Sequence, residues 1–220
     1  MTKQSIAVIG GTGPQGRGLA YRFAVAGHEV VIGSRDAARA QERAEEIAAK
    51  VGPEARLRGA ENAEAAAQAD IVLLAVPYDG HAALVSSLDL AGKVTISCVN
   101  PLGFDAKGPY ALDVPDGSAA EELARLAPEA LVVGAFHHVS AINLWKHEGL
   151  LDDEDVLVCG DDEAAVATVV DLAATVTGRP GVVAGGLRLA RELEPWTGVL
   201  ISVNKRYKVR SGIRVSGLPE

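Results

Sequence analysis

The chain has 220 residues, 48% of them hydrophobic and 23% charged, a balance that suits a globular protein with one sizeable core and a smaller appended part. Its formal charge of −8 at neutral pH speaks against non-specific nucleic-acid binding, which needs a basic surface to neutralise phosphates. Any anionic ligand must therefore meet a local basic patch.

In chain order, the first element is Ile6–Ile9, an apolar run too short for a helix that ends in Gly10 and Gly11. Gly11, Gly13 and Gly16 fall on the G-x-G-x-x-G spacing. Gly11 should allow the tight turn, Gly13 should let the backbone approach a pyrophosphate, and Gly16 should let the next helix pack close to the strand. A helix starting near Gln15 would then turn free N–H groups and the positive end of its dipole toward the phosphates. A ligand-free glycine turn has the same spacing. The context favours a nucleotide, because a strand precedes the turn, an amphipathic helix carrying Leu19, Tyr21, Phe23 and Ala26 follows it, and a second strand, Glu29–Gly33, comes next.

The residues after that second strand select the nucleotide. Chains that bind NAD place an acid there for the ribose 2′-hydroxyl, whereas this one has Ser34 and Arg35. A carboxylate would repel a 2′-phosphate, while a guanidinium forks onto one. Arg39, four residues on, joins Arg35 on one face if the next helix has begun. The expectation is NADP. The alternative is two solvated arginines flanking Asp36 as a helix cap.

An Ala- and Glu-rich helix runs to about Lys50 and is broken by Gly52 and Pro53, with a possible third strand at 55–57 and a short helix at 62–69. Residues 70–76 form a continuous apolar run ended by Pro77, the mark of a strand buried on both faces of a parallel sheet. Ligands of such sheets lie beyond the C-terminal strand ends at the switch point of strand order, which places Val76 and Pro77 beside them. A helix at 80–88 and a strand at 94–98 follow, then a stretch from Val99 to Gly117, rich in proline and glycine, that reads as an irregular and functional loop. Ser118 and Glu121 form a capping box for a helix that Pro128 stops.

Leu131–Phe136 reads as another buried strand, ending in His137 and His138. Neighbouring side chains of a strand point to opposite faces, so the pair cannot easily chelate one ion, and no metal is expected. One histidine could face the ligand crevice, and either could equally be satisfied by the backbone. Beyond Val139 come an apolar stretch at 141–145, an acidic turn at 152–155, a strand at 156–159, and an Ala- and Val-rich helix capped by Asp161 and Asp162. A short strand near Val182 leads to a long helix from about Leu187 to Asn204, which Pro195 should kink or restart. The closing stretch carries Lys205, Arg206, Lys208, Arg210 and Arg214, either a solvated tail or a clamp for an anion. Cys98 and Cys159 fit no disulfide or metal pattern and read as buried thiols. No apolar run approaches the length of a membrane span, and the first one enters the glycine turn instead of a cleavage site, so a cytoplasmic protein is expected. The fold class is α/β, a Rossmann-type doubly wound, mainly parallel sheet with a smaller C-terminal α/β portion.

The segments GGTGPQGRGLAYRFAVAGHEVVIGSR, AVPYDGHA, CVNPLGFDAKG, SAAEELA, FHHVSA, DEDVLVCGDDEAA and RELEPWTGVLI, in this order and spread over nearly the whole chain, resemble the coenzyme F420:NADP oxidoreductases. The resemblance implies hydride exchange between NADP(H) and the deazaflavin F420 by a homodimer. It implies an NADP-binding domain at 1–140 and a smaller domain at 141–220 that contributes the deazaflavin site and dimer contacts. The family's phosphate turn matches Thr12, Gly13, Pro14 and Gln15, and its 2′-phosphate site matches Ser34, Arg35 and Arg39, the last standing where relatives often carry lysine. Its histidine after the sixth strand matches His137, and its late Glu and Thr match Glu194 and Thr197. With Gly11, Gly16, Val76, Pro77, Val99 and Ala141, these make the expected cofactor-binding set. Ser140 and Pro195 stand where the family has proline and serine, both bordering the deazaflavin pocket.

Direct transfer from nicotinamide C4 to deazaflavin C5 requires two rings held face to face in a dry cleft, with no protein nucleophile or metal, so no catalytic residue is expected. His137 or Thr197 could hydrogen-bond the deazaflavin and tune it. F420 ends in a phosphodiester and several glutamates, an anionic tail for the basic C-terminal stretch to guide. Two other functions fit the same nucleotide unit: an NADP-dependent reductase of a small carbonyl or imine, which would need a positioned proton donor, and a non-catalytic NADP(H)-sensing dimer.

Overall fold

A computed structural model describes residues 3–218. The first apolar run forms β1 (Ser5–Ile9), and its glycine turn opens α1 (Pro14–Val25), followed by β2 (Glu29–Ser34) and α2 (Ala37–Val51). The third strand, expected at 55–57, lies later, as β3 (Leu57–Glu61). The turn that ends α2 uses the intervening residues: Gly52 takes φ +113° and its carbonyl accepts from Ala55 N at 3.1 Å. Then come α3 (Asn62–Ala67), β4 (Ile71–Leu74), α4 (His81–Val85) and β5 (Val94–Ser97).

The stretch after β5 is not irregular throughout. It holds an antiparallel hairpin, β6 (Leu102–Asp105) and β7 (Gly108–Ala111), with Phe104 opposite Pro109. Its turn is closed by Asp105 Oδ1, which accepts from Lys107 N at 2.7 Å and Gly108 N at 3.1 Å. The chain continues as α5 (Ala119–Leu126), β8 (Leu131–Ala135), α6 (Ala141–Lys146), β9 (Leu157–Gly160), α7 (Glu163–Thr177), β10 (Val182–Gly185) and α8 (Ala190–Tyr207).

Eight strands form one sheet in the order β10-β9-β8-β5-β4-β1-β2-β3. Six of them reproduce the doubly wound nucleotide-binding order, reversing between β1 and β4. Within this sheet, among the described residues, only the β8–β9 pair is antiparallel. Residues 141–218 therefore carry no sheet of their own: β9 and β10 extend the one sheet, and α7 joins the core layer of α1 and α2. Alternation along β1 explains the two layers. Ile6 and Val8 face α1, α2 and α7, whereas Ala7 and Ile9 face α3, α4 and α5.

Pro195 neither restarts nor ends the last helix, since α8 runs unbroken through it. A proline removes one backbone donor, here near the helix start, and eighteen residues of packing outweigh that loss.

Candidate functional site

The turn after β1 sits against the end of β4, at the reversal point of the sheet, where Ala75 N donates to Ile9 O at 2.9 Å. The left-handed residue of this turn is Gly10 (φ +80°), one position before the glycine expected to make it. A Cβ on Gly10 would lie 2.5 Å from Ala75 O. Gly11 is excluded from having a side chain by Val8 O and Ile32, and Gly16 by Gly10 O at 2.6 Å, which is the close strand–helix packing expected of it. Gly13 differs from all three: a Cβ there would meet only Gly10 O, at 3.3 Å, and otherwise open space. Gly13 is also the N-cap of α1, without a side-chain cap, and Pro14 at the first position has no N–H. The N–H groups of that first turn are thus open to an anion beside Thr12 and Gln15.

At the end of β2, Ser34 Oγ accepts from Asp36 N at 3.3 Å, and Asp36 Oδ1 accepts from Ala38 N (2.9 Å) and Arg39 N (3.1 Å) to cap α2. Helix α2 begins only after Arg35, so Arg35 and Arg39 are not neighbours on one helix face; they stand on either side of the cap. Both are exposed, and neither pairs with a carboxylate among the described residues.

Beside the glycine turn lies a cleft of about 460 Å³ over the ends of β4, β5 and β8. Gln15, Val76 and Ala141 border it, together with His137 and Thr197 from distant parts of the chain. Pro77 is exposed just outside, and the Val99 side chain is fully buried in the core layer beneath. Glu194 also stands elsewhere. Its buried carboxylate accepts from Ala119 N (2.8 Å) and Ala120 N (3.0 Å), capping α5, and it does not border the cleft. Burial pushes its acid up to about 7, against the pull of those two donors.

The two histidines are not placed by strand alternation. Strand β8 stops at Ala135 and Phe136 takes φ +63°, so both residues border the cleft, with ring centroids 6.0 Å apart. His138 Nε2 lies 2.7 Å from Leu193 O, which can only accept, so the proton sits on Nε2. Burial and the neighbouring His138 hold His137 down to about 3, so its ring is neutral, and its Nε2 is buried without a partner. Thr197 does not offer its hydroxyl proton to the cleft. It donates to His137 O at 2.9 Å.

Sequence reasoning passed over Asn100, whose amide nitrogen is 3.4 Å from the same His137 carbonyl. Its place just past the C-terminal end of β5 was the available signal. It also passed over Arg22. This α1 residue is 5% exposed and donates to the carbonyls of Leu144 (2.8 Å), Asn143 (2.9 Å), His147 (2.9 Å) and Gly149, tying α1 to the C-terminal end of α6. Ser140 caps the other end of α6, accepting from Asn143 N at 3.4 Å, and borders the cleft. Cys98 and Cys159 are free and buried, each thiol pushed up to about 12 by burial. Among the described residues, no group of three or more His, Cys, Asp or Glu could hold a metal, and no helix is long and apolar enough to cross a membrane.

Residues 5–101 match the family described as NADP oxidoreductase, coenzyme F420-dependent. The chain is 41% identical over 223 residues to the F420-dependent NADP reductase of Methanothermobacter thermautotrophicus, covering 98% of this chain and 96% of that one. It is 38% identical to the F420-dependent NADP reductase of Methanocaldococcus jannaschii, covering 97% and 98%. Among solved structures, a putative F420-dependent NADP-reductase from Arthrobacter sp. FB24 superposes with a TM-score of 0.77 at 29% identity, covering 96% of this chain and all of that one.

Proposed function

The chain belongs to the F420-dependent NADP oxidoreductases, and from that premise we propose how its residues serve hydride transfer between NADP(H) and F420. The observation that carries the reading is the junction of two half-sites at Gln15, which lies in the open first turn of α1 and also borders the cleft above His137. The fit is sound for the nucleotide: the space that a Gly13 side chain would fill is open, and the first turn of α1 has no cap of its own. Once bound, NADP(H) and F420 supply the hydride donor and acceptor.

The protein's task is then to bind and orient. Thr12, Gly13, Gln15 and Gly16 hold the pyrophosphate with backbone donors, and Ser34, Arg35 and Arg39 hold the 2′-phosphate. Val76 and Ala141 pack against the nicotinamide end. His137 borders the deazaflavin end as a neutral residue that adds no charge, and Thr197 and Asn100 fix its backbone through one carbonyl. Glu194 supports this wall from behind through α5 and not by touching the ligand. Residues 1–140 supply the nucleotide face and 141–220 much of the deazaflavin face. A second copy covers the exposed Phe104, Tyr110, Trp196 and Val199 of the β6–β7 hairpin and α8, giving a homodimer. The two free buried thiols suit a reducing cytoplasm.

Mixing the protein with NADPH and oxidised F420 tests the reading: the visible absorbance of the oxidised deazaflavin should fall with turnover. Turnover of a simple ketone or imine with F420 inert would replace it.

A further inference from the structure

The cleft has a single charged residue on its wall. Arg210 borders it, no Asp or Glu does among the described residues, and burial lowers both histidines so that they stay neutral. One nitrogen of Arg210 donates to Val209 O at 2.8 Å, and no carboxylate pairs with it among the described residues.

The backbone that presents Arg210 is pinned. Helix α8 stops where Lys208 takes φ +56° and turns the chain back. Asn204 Oδ1 accepts from both Ser211 N (2.7 Å) and the Ser211 hydroxyl (2.9 Å), closing a loop around Arg210. Further on, Ile213 O accepts from Asp155 N at 2.7 Å, Asp155 Oδ2 accepts from Val215 N at 2.8 Å, and Gly212 lies flat on the Glu154 side chain, where a Cβ would not fit. A solvated tail needs none of these contacts. The other cations of the segment are spent or turned away: Arg214 reaches Asp152 O (3.1 Å) and Asp155 (3.8 Å), while Lys205, Arg206 and Lys208 do not border the cleft.

We infer that Arg210 is a specificity-determining residue of the second-substrate half of the cleft, forking onto a phosphate or carboxylate carried by the side chain of the deazaflavin. This rests on the hydride-transfer reading above. An unpaired guanidinium beside an otherwise neutral wall, in a protein of charge −8, gains most from an anion that it can grip through two donors.

The test measures Kd by calorimetry and KM by turnover for the natural chain, Arg210→Ala and Arg210→Lys, with Lys107→Ala in the hairpin turn as the control for net charge. Three deazaflavins are used: the uncharged riboside, its 5′-phosphate, and glutamylated F420. Arg210→Ala should raise Kd and KM for F420 about tenfold or more, leaving NADPH and the riboside unchanged. Arg210→Lys should recover part of the loss, and the loss should shrink as salt rises. A matching loss for the 5′-phosphate identifies phosphate as the group held, and a loss confined to F420 identifies its carboxylates. An equal loss for the riboside, or no loss for F420, overturns the assignment. If the natural chain binds F420 but moves no hydride, the reaction reading fails while the Kd comparison still decides the role of Arg210.

Discussion

The phosphate turn and the far wall of the cleft are built in opposite ways. The turn is contiguous, Gly10 to Gly16, and works through backbone: glycines where a Cβ would collide, and open N–H groups at the start of α1. The far wall is gathered from β5, β8, α6, α8 and the returning C-terminal stretch, and is held by side chains reaching across 60 to 122 residues, as in Thr197 to His137 and Arg22 to Leu144. A backbone site tolerates change around it but not the addition of a Cβ within it. A side-chain site fails wherever one of its long-range anchors is removed.

The sharpest way to break the contrast is Gly13→Val. Its extended backbone (φ −80°) accepts valine and a Cβ there meets only Gly10 O, a tight contact at 3.3 Å, so NADPH binding by calorimetry should vanish with little change in thermal melting. Retained binding would remove the pyrophosphate from this turn. Arg22→Met should do the reverse. Orphaning buried carbonyls at the end of α6 should cost about 3 kcal/mol of stability in urea titration, with F420 KM rising more than NADPH KM. An unchanged denaturation midpoint would show that α6 needs no clamp. Arg35→Ala removes one charge-assisted pair worth roughly 1.5–3 kcal/mol, so the KM for NADP should rise more than tenfold and that for NAD barely move. Equal losses would mean that the 2′-phosphate is held elsewhere.

The smallest effect concerns Glu194. Its acid is raised to about 7, so the folded state binds more protons than the unfolded one between pH 4.5 and 7, and this group's stabilisation is fully present below that window and lost as pH rises through it. His137, lowered to about 3, has the opposite sign: it costs stability as pH falls below 6.5, where only the unfolded state takes up the proton. Glu194→Gln should abolish the Glu194 slope, at most about 1.4 kcal/mol per pH unit, and lose one of the two α5 cap bonds. Melting curves from pH 5 to 8 that are parallel for both proteins would refute this.

The sheet, the glycine turn and the buried thiols were legible because each rests on local pattern: apolar runs bounded by glycine or proline, and residue spacing. The doubly wound order and the family followed. Legibility stopped where the partner is a backbone atom far along the chain. Arg22 looks like any helix arginine until its carbonyl acceptors are seen, and nothing in the sequence pairs Glu194 with the two α5 donors that its oxygens meet. Pro195 did not restart the helix because a local propensity was set against a long packed helix. The basic C-terminal stretch read as one cluster of five cations, yet the turn at Lys208 and the anchors on Asp155 divide it so that a single arginine borders the cleft.

Helix α8 carries a consequence for how this chain can vary in length. Glu194 near its start is fixed to α5, Thr197 in its middle to His137, and the stretch after its end, closed by Asn204 on Ser211, to Asp155, so three anchors share one helical phase. A one-residue insertion between Glu194 and Thr197 would rotate everything after it by about 100°, given 3.6 residues per turn, and detach the last two anchors together. The turn at 105–108, closed locally by Asp105, has no such phase to keep. Insertions and deletions should therefore accumulate in the hairpin turn, and α8 should behave as a fixed-length ruler.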